Sequence, residues 1–113
     1  MFSRNRNIKA LSDETVFSQP PGKIFRWTKG TKITAIDMVI IAVPKALLSS
    51  GGETISSVIE ADDEMNVAIP PDSDKIFLYV QPGMSVTLKK SSESYIVAND
   101  DTPRRIRMTK PKA

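Results

Sequence analysis

An all-β fold is predicted by this sequence: a small antiparallel β-sandwich, jelly roll or barrel with an extended N-terminal arm. Three observations lead there. Turn-forming residues recur about every ten positions from residue 23 onward. The segments between them are short and rich in β-branched and aromatic residues, which suit a pleated surface. Several of these segments alternate apolar and polar residues with a period of two.

Residues 1–22 are expected to form the arm. They are polar, interrupted by Asn5, Asn7 and Ser12, and they close on the extended Pro20-Pro21 pair before Gly22. Within them LSDETVF offers a short helix capped by Ser12, too short to persist alone. The remainder, 23–113, reads as a single β-domain ending in a basic last strand, a size that one core can support.

The first strand of that domain is KIFRWT, 23–28, with Ile24 and Arg26 on one face and Phe25 and Trp27 on the other. KGTK turns at Gly30. The run KITAIDMVIIAV, 32–43, is expected to be a strand whose last six residues are apolar on both faces, the pattern of a strand covered on both sides. Thr34 and Asp37 have capping-box spacing, but the β-branched residues and Pro44 weigh against a helix. PKALLSS suits one helical turn. ETISSVIEA fits helix and strand spacing equally.

MNVAIP alternates Met65, Val67 and Ile69. KIFLYV, 75–80, is a strand apolar on both faces. QPG turns, and MSVTLKK sends Met84, Val86 and Leu88 inward. SSES is expected to turn, YIVA to be a strand and NDDTP to turn again. RRIRMTK sets Ile106 and Met108 against Arg105 and Arg107, so the last strand carries an apolar face and a cationic one, as a protected sheet edge does. The expected total is seven or eight strands.

Charge is unevenly distributed. Residues 1–32 carry +5, residues 33–102 carry −7 and residues 103–113 carry +5, for a net +3. An acidic body between two basic ends opposes a uniform phosphate-binding field and complements a second copy or an acidic protein surface. The arm cations Arg4, Arg6 and Lys9 and the last-strand cations Arg104, Arg105 and Arg107 are therefore the candidate partner-binding residues.

Little in the sequence points to catalysis. The chain has no cysteine and no histidine, which removes thiolate chemistry and the commonest general base and zinc ligand. The acidic clusters Asp62-Asp63-Glu64, Asp72 with Asp74, and Asp100-Asp101 do not match a calcium loop and suit turns. PPGKIF lacks the upstream glycine and the following hydroxyl of a phosphate loop. No enzyme activity, metal or cofactor is expected. The longest apolar stretch, 35–43, contains Asp37 and is too short to span a membrane as a helix, and the first residues lack the apolar core of a secretory signal. The expected location is intracellular or in a virion.

The leading expectation is a non-enzymatic structural or assembly protein, oligomeric, that binds a larger protein assembly. By architectural analogy alone, the plan of arm, β-domain and basic last strand is similar to that of small proteins that clamp onto larger assemblies, such as virion decoration or cement proteins. An alternative is an OB-like module for single-stranded nucleic acid, in which Phe25 and Trp27 stack bases beside Arg26, Lys29 and Lys32. A third is a small phage or plasmid inhibitor of a host enzyme.

Overall fold

A computed structural model describes residues 13–48, 55–62 and 64–111. They form ten strands: β1 (Asp13–Gln19), β2 (Ile24–Trp27), β3 (Lys32–Ala35), β4 (Val39–Pro44), β5 (Ile59–Ala61), β6 (Asn66–Ala68), β7 (Lys75–Val80), β8 (Ser85–Leu88), β9 (Ser92–Val97) and β10 (Arg104–Lys110). Two single 3-10 turns, Lys45–Leu47 and Ile55–Ser57, are the helical elements among the described residues.

The strands divide into two antiparallel sheets. The first has the order β1-β10-β3-β8-β5 and the second β2-β9-β4-β7-β6. The pairs β1–β10, β2–β9, β3–β8 and β4–β7 are nested one inside the next, each antiparallel. The chain is thus one long hairpin rolled so that successive pairs fall alternately in the two sheets, which is the connectivity of a jelly roll. The expected sandwich is present, and the barrel alternative is replaced by two separate sheets.

Between the sheets lies one core. Val39, Ile41 and Val43 on β4 stand beside Val80, Leu78 and Ile76 on β7, and all six are buried. Ile96 joins them from β9. Ile33, Val86, Leu88 and Ile106 meet them from the first sheet, with Trp27 closing one side. Alternation in 84–90 and 104–110 sends Val86, Leu88 and Ile106 into this core as expected, with Met84 and Met108 packed against it.

Several expectations are corrected. The helix option at 12–17 gives way to strand β1, because Asp13–Gln19 pairs residue for residue with Arg104–Lys110. The run 32–43 is two strands in different sheets, β3 and β4, broken at 36–38. Residues 53–61 are neither all helix nor all strand where described: one 3-10 turn leads into β5. SSES is not a turn; Ser92 and Ser94 point inward from β9 beside Trp27 and Phe25, where small side chains leave room for the rings. Ile69 lies beyond the end of β6 and is exposed. The last strand, β10, is not an edge: it lies between β1 and β3.

Candidate interaction surfaces

The three arginines of β10 are engaged within the chain. Arg105 lies on the outward side, and its guanidinium grips Asp37 through Nε donating to Oδ2 at 3.0 Å and Nη2 donating to Oδ1 at 3.0 Å. Its backbone N–H donates to the same Oδ2 at 2.8 Å. In return the Arg105 carbonyl accepts from the amides of Ile36 and Asp37, both at 3.1 Å. These hydrogen bonds hold the Asp37 carboxyl down at about 2, well below its usual range. The same pairing raises the Arg105 guanidinium pKa.

Arg104 is held differently. It reaches back to Asp100 at 3.3 Å and to the Thr102 carbonyl at 3.2 Å, while Asp100 also accepts from the Thr102 amide at 3.1 Å. This explains the acidic residue in NDDTP as part of a turn. Arg107 stands across from Val16 and makes a longer ion pair, 3.9 Å, with Glu14 on β1. Arg4, Arg6 and Lys9 lie outside the described residues.

The aromatic-cationic cluster of β2 is split between core and solvent. Trp27 is fully buried, and its indole N–H donates to the Thr31 carbonyl at 2.9 Å. Phe25 packs against the core. A base cannot stack on a ring enclosed in this way. Arg26 and Lys29 are exposed and Lys32 half-buried, with Lys32 on β3 in the other sheet. The five residues therefore do not form one binding platform, and the two-sheet jelly roll differs from the five-stranded OB barrel.

β1 is the outer edge of the first sheet, seven residues long and fully in register with β10. Yet Glu14, Thr15, Val16, Phe17 and Ser18 are all exposed. The strand extends past the core, held by backbone pairing. Its Thr15 and Phe17, with Met108, Arg26, Thr28 and Thr31, line a cleft of about 370 Å³ where the two sheets part.

A third surface was not assigned from the sequence. On the outer side of the second sheet, register aligns Ile24, Tyr95, Ala42, Phe77 and Ala68 in one row across all five strands. A second row holds Val97, Ile40, Tyr79 and Asn66. Ala42 is covered completely by its neighbours, whereas Ile24 is 62% exposed. At one end this face runs into a hollow where Met38, Ile40 and Val97 meet Arg104 and Asp100. The corresponding side of the first sheet is polar, with Arg105, Arg107, Lys32, Thr34 and Thr87. The signal for the apolar face was present in VIIAV and KIFLYV, both apolar on alternate residues of either parity; covering by the first sheet accounts for only one parity.

Among the described residues no group of three or more acidic side chains is placed to hold a metal ion. No described helix is long and apolar enough to cross a membrane. No protein-family model matches the chain, and neither a curated protein nor a solved structure matches it.

Proposed function

We propose that this is a non-enzymatic structural protein that joins a larger protein assembly through its β-domain and its basic N-terminal segment, in the manner of a small virion decoration or cement protein. The supporting observation is β1. A seven-residue edge strand that pairs along its whole length, and exposes side chains on both faces, gains little from the core. It carries no proline or lysine to block its free edge, and its backbone groups are open to strand addition by a neighbour. The positively charged segment bearing Arg4, Arg6 and Lys9 directly precedes it in the sequence.

The test is the size of the full chain in solution at two salt concentrations, with and without a single-stranded oligonucleotide. Assemblies that shrink as salt rises, are lost when Arg4, Arg6 and Lys9 are reversed to Glu, and are indifferent to the oligonucleotide support the proposal. Tight oligonucleotide binding that weakens steeply with salt would replace it with a nucleic-acid role.

A further inference from the structure

From the outer face of the second sheet we infer that two copies of this chain pack face to face, with a two-fold axis parallel to β4 that lies above Ala42, midway between the two sheets. The inference uses a different surface from the β1 edge and does not depend on it.

Two strands of this sheet, β4 and β7, are apolar on both sides; the inner residues are buried in the core, while Ile40, Phe77 and Tyr79 on the outer side are half-buried. Sheets stack about 10 Å apart through interdigitating side chains. An axis along β4 lays β9 over the partner's β7 and β2 over its β6, given the strand order β2-β9-β4-β7-β6. Ala42 lies beneath the axis, covered by its neighbours, and the contact is made by the side chains that flank it. Tyr95 meets the partner's Phe77, and Ile24 meets its Ala68.

The charged residues choose the occupant and the orientation. Two residues beyond Tyr95 and Phe77 in the same direction come Glu93 on β9, paired with Arg26 on β2, and Lys75 on β7, paired with Pro44 on β4, which places the charged residues beyond the apolar rows. The same rotation sets Glu93 against the partner's Lys75, twice by symmetry. It also brings Arg26 toward the partner's 70–74 loop, which carries Asp72 and the exposed Asp74. Within the chain Lys75 Nζ lies 3.6 Å from Asp74 Oδ2, and the Asp74 side chain is largely exposed. The other face-to-face two-fold, across the strands, would lay this charged row over Val97, Ile40 and Tyr79 and bury unpaired charge, which is costly. A self-complementary face of this kind fits a second copy.

Five strands at a spacing of about 4.8 Å and about five residues long on average present about 400 Å² of flat footprint per copy. That puts the dimer at the small end of specific interfaces, so it dissociates on dilution.

Sedimentation velocity of the full chain over a dilution series tests the inference. The expected result is a monomer–dimer equilibrium. Glu93→Lys and Lys75→Glu should each weaken it roughly tenfold, and the double reversal should restore it. Ile24→Asp should weaken it at least as much. All three sites of change are exposed or half-exposed, and unchanged melting temperatures establish that the variants fold. A chain that stays monomeric up to about 1 mM, or a dimer indifferent to Ile24→Asp and to the single reversals, overturns it. So does a double reversal that fails to restore a dimer weakened by both single changes.

Discussion

Arg105 and Asp37, 68 residues apart, are joined by two side-chain hydrogen bonds and one from the Arg105 backbone to the same carboxylate. The contact sits where the chain leaves β3 in one sheet for β4 in the other. It ties that corner to the start of β10, and so fixes the point at which an otherwise continuous apolar run must bend.

This clasp makes stability depend on acid. The Asp37 carboxyl titrates near 3.8 when free and at about 2 when clasped. A depressed carboxyl contributes in full above its unfolded pKa and loses that contribution as pH falls through the folded one. Denaturant unfolding from pH 5 to about 2 should show Asp37→Asn less stable than the wild type at the upper end, with the two converging at the lower end. A constant gap across this range would disconnect the clasp from titration.

Trp27→Phe keeps most of the ring volume but strands the Thr31 carbonyl. The expected cost is about 1–3 kcal/mol, the penalty for a buried polar group without its partner. Trp27→Ala should cost about 3–5 kcal/mol by opening a cavity. Equilibrium unfolding measures both, and a Trp27→Phe variant as stable as wild type would deny the hydrogen bond any role.

Ser94 is almost fully buried, and its hydroxyl has no hydrogen-bond partner. Removing an unsatisfied hydroxyl relieves a desolvation penalty, so Ser94→Ala should be neutral or stabilising by up to about 1–2 kcal/mol. A thermal melt suffices to decide. Destabilisation beyond 1 kcal/mol, roughly the net worth of one hydrogen bond, would mean the hydroxyl is engaged.

Gly30 holds a left-handed conformation with φ +87°, and its amide donates to the Leu88 carbonyl at 2.8 Å. A Cβ there would also stand 3.3 Å from Pro111 Cγ. Gly30→Ala should therefore cost about 1–2 kcal/mol by forcing a side chain into this region. Chemical denaturation would contradict this if the midpoint did not fall.

Much of the sandwich was legible in the residues because alternation reports burial directly: Val86, Leu88 and Ile106 fall where period two sends them. What local pattern could not carry was sheet membership. Nothing in ITAIDMVI marks Asp37 as a corner until Arg105 is known to lie beside it. β1 was hidden for another reason. Backbone pairing with β10 asks nothing of its side chains, so DETVFSQ reads as polar arm rather than strand. In sequence alone Ser92 and Ser94 read as turn formers, because their inward placement depends on the rings of Trp27 and Phe25 across the ladder. At the candidate surfaces, residue type identified Arg105 as prominent, but its partner within the chain could be found only in three dimensions.

The nested pairing has a kinetic consequence. Pro44 pairs with Lys75, but Asp13 pairs with Lys110, 97 positions away. Loops this long are slow to close, and high contact order places such folds among the slow folders. During synthesis β1 leaves the ribosome first and waits for a partner that is made last. Over that interval the innermost pairs can zip while β1 remains single, able to join the β10 of another copy as readily as its own. Domain-swapped dimers should therefore increase when refolding is started at high protein concentration, and in the finished fold the β1 amides should be the first of the ladder to exchange with solvent.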